Sequence, residues 1–101
     1  MNCPFCAIDR LNPVLENQLA FAIYDLYPQS PGHLLVVLRR HVPDYFAATP
    51  AEHAAIAELL GEGKQLLDRE RSPAGYTVLS NVGAIAGQVV MHCHIHLIPR
   101  Y

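Results

Sequence analysis

The chain has 101 residues and a net charge of −2 from 7 basic and 9 acidic side chains, so nothing in it offers the basic surface that long nucleic acid requires. With 51% hydrophobic and 16% charged residues it is globular, not disordered, and no apolar run reaches membrane-spanning length. The size suits one domain, residues 1–101, marginal in core volume without a partner.

The first ten residues, MNCPFCAIDR, lack the charged start and apolar run of a signal peptide, which points to a cytoplasmic protein. In that compartment three cysteines read as metal ligands or buried thiols sooner than as disulfides. A short strand is expected near residues 14–20. LAFAIYDL (19–26) reads as a strand with Phe21 and Ile23 at period two, and Pro28, Ser30, Pro31 and Gly32 then break the chain into a loop. HLLVVL (33–38) reads as a mostly buried strand closed by Arg39, Arg40 and His41. Thr49, Pro50 and Glu52 form a capping box with proline at the first helical position. The stripe of Ile56, Leu59, Leu60, Gly63, Leu66 and Leu67 predicts a helix over about 50–70. His53 on it has no partner motif and reads as solvent-exposed. YTVLSN (76–81) and VVMHCHIHLI (89–98) complete the strands, the last stopped by Pro99. Together these elements predict an α+β fold: an antiparallel sheet of about five strands with one long helix packed on it.

The last strand carries His92, His94 and His96 at alternate positions. On a helix they would diverge. On a strand they share one face, about 7 Å apart at each step, with Met91, Cys93, Ile95 and Leu97 turned into apolar packing. Repulsion and desolvation oppose three imidazoles in a row, so the row implies chemistry. Two chemistries fit: metal ligation, or a neutral imidazole acting as nucleophile beside a second that handles the leaving group. The preceding Asn81, Gly83, Gly87 and Gln88 favour the second. Their glycines let backbone N–H groups approach an anion, and neutral amides facing imidazoles suit a phosphate ester.

AGQVVMHCHIHLIPR, together with the upstream YDLYPQSPGHLLVVLRRHV, resembles the histidine triad (HIT) family from Cys3 to Arg100. The resemblance implies hydrolysis or transfer at the α-phosphate of nucleotides, such as nucleoside phosphoramidates or dinucleoside polyphosphates, through a covalent nucleotidyl-histidine. It implies His94 as nucleophile and His96 as the residue serving phosphate and leaving group. Asp25 would hold the ribose, and His33, Asn81 and Gln88 would line the phosphate side. It also implies a purine nucleotide substrate, a homodimer whose sheets join, and no organic cofactor. Cys3 and Cys6 have zinc-ligand spacing, and bacterial members of the family complete such a site with residues matching His41 and His92, giving a structural zinc. A redox reading of Cys3-Pro-Phe-Cys6 fails for want of a preceding strand and a following helix. Two functions stand beside the hydrolase: a metal-dependent hydrolase with the triad as its cage, and a nucleotide-binding regulatory module. The sequence departs from the family in having Leu38 where proline is common, and in ending at Tyr101, where many members continue.

Overall fold

The computed structural model describes residues 3–7 and 11–101. Five strands form one antiparallel sheet: β1 (Leu15–Glu16), β2 (Ala20–Tyr24), β3 (Leu34–Leu38), β4 (Gly75–Leu79) and β5 (His94–Arg100). Their order in the sheet is β1-β2-β3-β5-β4, and α1 (Pro50–Arg71), the one α-helix among the described residues, packs across one face. The expected α+β architecture is what the chain adopts.

Period-two alternation sorts the side chains of the central strands. Ala20, Ala22, Val36, Leu38 and Ile95 join Ile56 and Leu59 of α1, while Phe21, Ile23, Leu35 and Val37 face the other way onto Phe5. The segment around Phe5 therefore covers part of the second face, which is why all five residues of β3 are buried. The capping box forms as read: Thr49 Oγ1 accepts from the Glu52 amide, and the Glu52 carboxylate accepts from the Thr49 amide. Gly63 of α1 faces the sheet at close range. A Cβ there would lie 3.1 Å from Leu97 Cδ2 and 3.2 Å from Leu34 Cδ1, so the small residue sets the approach. Among the described residues, no helix is long and apolar enough to cross a membrane.

The last strand differs from its expected bounds at both ends. It begins at His94, not Val89, because β3 supplies partners only from Leu34, opposite Leu97, to Val37, opposite His94. Past Leu38 the neighbouring chain turns away, and Cys93 is held by Leu38 and Val42 through irregular backbone bonds. Met91 is consequently exposed and does not pack inward as alternation suggested. At the other end the strand runs through Pro99. The Pro99 carbonyl accepts from Ser30 Oγ at 2.6 Å on the β3 side, so its N, which carries no hydrogen, also faces away from β4 and costs the ladder nothing.

Candidate active site and metal centre

His94 and His96 project from the same face of β5 with ring centroids 5.3 Å apart. Backbone groups fix which nitrogen of each ring carries hydrogen. His92 donates from Nε2 to the Leu38 carbonyl at 2.6 Å, leaving its Nδ1 as a lone pair. His94 donates from Nδ1 to the His92 carbonyl at 2.7 Å, leaving Nε2 as the free nitrogen. The ring is steadied by the edge of Phe5 at 5.0 Å, and its backbone carbonyl accepts from Ser80 Oγ.

A second chain of bonds reaches His96 from β3. The Gln29 amide donates to His33 Nδ1 at 3.1 Å, so His33 is protonated at Nε2. That nitrogen lies 2.9 Å from His96 Nδ1 and 3.5 Å from Asp25 Oδ2. His96 Nδ1 accepts, and its own hydrogen sits on Nε2. Burial pushes the His33 pKa down, with Asp25 partly restoring it and Arg100 lowering it further. Burial also lowers His96, reinforced by His94 and His33 and opposed by Asp25. Asp25 is half-buried, and its other oxygen accepts from the Tyr27 amide at 2.9 Å. The loop carrying Gln29 is tied to the end of β5: besides the Ser30 bond, Tyr101 donates to the Pro31 carbonyl and Arg100 to the Gln29 side chain.

The glycine loop before β5 spends its amides on itself. Gln88 is buried, accepts from the Gly83 amide at 2.8 Å and donates to the Pro43 and Val90 carbonyls. Both its amide hydrogens are used, so the side chain expected on the phosphate is instead bonded to the chain at Gly83, Pro43 and Val90. Asn81 donates to the Gly87 carbonyl at 3.2 Å from the rim. Gly87 needs to be glycine twice over: its φ is +94°, and a Cβ would stand 3.3 Å from Asn81 Nδ2.

His92 points into a different cluster. The Sγ atoms of Cys3 and Cys6 and the ring nitrogens of His41 and His92 all lie within 4.8 Å of one another. Nδ1 of His92 is 3.2 Å from Cys3 Sγ, 3.6 Å from Cys6 Sγ and 3.1 Å from His41 Nδ1, and Cys6 Sγ is 3.2 Å from His41 Nδ1. A tetrahedral zinc with ordinary bond lengths has ligand-to-ligand edges of about 3.3–3.8 Å, close to this spacing. The donor chemistry agrees. The Leu38 carbonyl holds the His92 lone pair toward the thiols, and burial keeps that imidazole neutral. The Cys6 thiol is held above its ordinary pKa by its hydrogen bond to Cys3, a conflict that a divalent cation between the two sulfurs would reverse. The residues thus fit a closed four-ligand site. The third cysteine, Cys93, is buried against α1, and burial pushes its thiol up to about 11, so it is inert packing.

The His41 loop is anchored to α1 through Arg40, whose guanidinium grips the buried Glu52 carboxylate at 3.0 and 2.8 Å. Those bonds, with the Thr49 amide, hold Glu52 down at about 2 against an ordinary 4.5. A carboxylate depressed on folding stabilises the protein above its unfolded pKa, and that contribution is lost as pH falls from about 4.5 toward 2. Glu52→Gln should therefore cost about 1–2 kcal/mol at neutral pH, Arg40 being half exposed and screened on its side. In urea titrations the gap between wild type and variant should close on acidification through that window; a gap that persists at its lower end contradicts the assignment. His53, expected in solvent, is instead half-buried: its ring stacks on Tyr45 at 4.4 Å and its Nε2 donates to the Tyr45 carbonyl.

The structure brings together Asp25, His33, His94 and His96 in one cluster and Cys3, Cys6, His41 and His92 in another. Sequence reasoning missed Gln29, which acts through its backbone amide and leaves no mark in residue type, and Phe5, which was hidden inside the cysteine motif.

Known proteins place this geometry. A family model for the HIT domain matches residues 10–101. An uncharacterized 16.1 kDa HIT-like protein of Mycoplasma pneumoniae is 38% identical, aligning with 99% of this chain and 72% of its own. A HIT family protein from Bacillus anthracis superposes with a TM-score of 0.93 at 38% identity, over 99% of this chain and 74% of that one. The AP-4-A phosphorylase of Mycobacterium tuberculosis is 32% identical over 97% of this chain and 53% of its own length. With its triad at the start of β5, its helix-backed sheet and these relatives, the chain belongs to the HIT family.

Proposed function

We propose that the protein is a nucleotidyl hydrolase or transferase working at the α-phosphate of nucleoside phosphoramidates or dinucleoside polyphosphates. The observation that carries this reading is the His94 ring: Nδ1 is committed to the His92 carbonyl, and Nε2 has a lone pair and no protein partner among the described residues. Nε2 attacks phosphorus, the bond to the leaving group breaks, and its electron pair leaves with that group. Water then attacks the nucleotidyl-His94, the electron pair returns to Nε2, and the nucleotide and a proton are released. His96 presents Nε2–H to the departing atom, and Asp25 offers a carboxylate to ribose hydroxyls. The name of the Mycobacterium relative supports a nucleotide substrate, here taken to be a purine nucleotide. Cys3, Cys6, His41 and His92 would hold a zinc ion, whose contribution would be structural, with both cysteines bound as thiolates. The reading extends to a homodimer joined through the exposed edge strand β4 and to a cytoplasmic setting that keeps the thiols reduced.

Intact mass of the protein mixed with diadenosine tetraphosphate tests the reading. A transient adenylate adduct is expected, accumulating in a His96→Ala variant. No adduct in either protein, with the dinucleotide left intact, sinks it. The triad as a metal cage is disfavoured, because the two ligand clusters among the described residues divide the triad: His92 goes to the thiols, His96 to Asp25 and His33.

A further inference from the structure

We infer that His96 serves as a neutral hydrogen-bond donor, not as a proton-transferring acid, and that the enzyme is thereby specific for leaving groups that depart as stable oxyanions. This rests on the proposed α-phosphate chemistry and narrows its substrate class. The Gln29 amide is a donor in every protonation state, so His33 Nδ1 must keep its lone pair. His33 Nε2 then carries the only hydrogen of that ring and directs it at His96 Nδ1, 2.9 Å away. An imidazolium at His96 would need a hydrogen on Nδ1, and two N–H groups would meet head-on across that distance.

The groups facing the pair do not relieve the conflict. Asp25 Oδ2 is 3.5 Å from His33 Nε2, and it shares the His33 hydrogen without supplying a lone pair to His96. His94, whose ring is 5.3 Å away, and Arg100 both act against added positive charge at this pair. The loop that carries Gln29 cannot easily withdraw its amide, because Ser30, Pro31 and the Gln29 side chain are each bonded to residues 99–101 at the end of β5.

The chemical consequence follows from balance. In the first step His94 Nε2 bonds to phosphorus and the leaving atom keeps the electron pair. Surrender of the Nε2 hydrogen by neutral His96 would leave an imidazolate, so the leaving group departs without a proton, eased only by a hydrogen bond. A nucleoside polyphosphate, a sulfate or a carboxylate leaves readily in that form. An alkylamine or an alcohol does not. Of the two proposed substrate classes, the structure favours the dinucleoside polyphosphates and other mixed anhydrides over the phosphoramidates.

A series of adenosine 5′-(substituted phenyl) phosphates tests this, with diadenosine tetraphosphate and an alkylamine phosphoramidate of adenosine as end members. Wild-type kcat/KM should fall by about tenfold for each unit rise in leaving-group pKa, and the amine should lag the tetraphosphate by at least about a hundredfold. Two variants should flatten the series. Gln29→Pro removes the fixed amide hydrogen, and His33→Leu removes the hydrogen facing His96; either lets His96 take a second proton. Nitrogen-15 spectra of the wild type give a readout independent of turnover: His96 should show hydrogen on Nε2 alone at neutral pH. A shallow wild-type series, an amine cleaved as fast as the tetraphosphate, or an imidazolium pattern at neutral pH overturns the inference. If the adenylate adduct on His94 still forms in that case, the nucleotidyl-transfer reading survives; if no adduct forms with any member of the series, both fall.

Discussion

Replacing His94 with glycine should lower kcat/KM for a dinucleoside polyphosphate by at least about a thousandfold, the scale seen when a covalent nucleophile is lost but binding groups remain. The expectation follows from the division of labour on β5. His96, Asp25 and His33 would still hold the substrate, so KM should change far less than kcat. The adenylate adduct should vanish. Added imidazole should restore part of the turnover, because the ring removed from the wall leaves space of its own shape beside Phe5. His94 is half exposed and its ring makes one hydrogen bond, to the His92 carbonyl, so the melting temperature should hardly move. Full turnover in a folded His94→Gly protein would remove His94 from the mechanism.

The second large effect is expected at the cysteine–histidine cluster. A metal that binds only the folded chain at about a thousand times its dissociation constant adds about 4 kcal/mol. For a domain of this size that is on the order of 15 °C in Tm. Metal analysis of the purified protein should find one zinc per chain, and a strong chelator should produce that drop. A Cys3→Ser, Cys6→Ser double variant should melt at the lower temperature with or without chelator. Equal melting curves for the wild type before and after chelation, with zinc absent from the metal analysis, would reduce the cluster to packing. The His92 carbonyl also accepts from His94, so loss of the metal should broaden the His94 ring resonances even before substrate is added.

Much of this was legible in the residues. Alternation in strands 19–26 and 33–38 and the Thr49–Glu52 capping box gave elements within a few residues of those observed, because local sterics and burial decide them. The triad and the C-x-x-C spacing pointed to the two clusters of side chains that the fold brings together, since few other arrangements tolerate those residues in such patterns. Bounds of β5 were not legible. Where that strand begins depends on where β3 stops offering partners, and Pro99 is tolerated only because its bare nitrogen faces Ser30, not a strand. The state of His33 was equally hidden. It depends on a main-chain amide at position 29 that any residue but proline would supply. Gln88 looked like a ligand by its place before the triad, yet its amide is exhausted by Gly83, Pro43 and Val90.

The thiols that meet His92 lie 86 and 89 residues before it in the chain. During synthesis at about 5–20 residues per second they emerge on the order of ten seconds ahead of that partner. A metal arriving early would find two sulfurs, joined 35 residues after Cys6 by the His41 ring, but not yet His92. The full grip forms only when the last strand has seated against β3. In the proposed zinc site His92 therefore closes the ligand set last: a chain that stalls or misplaces its final strand would hold a metal through Cys3, Cys6 and His41 alone, the weaker grip of an incomplete site.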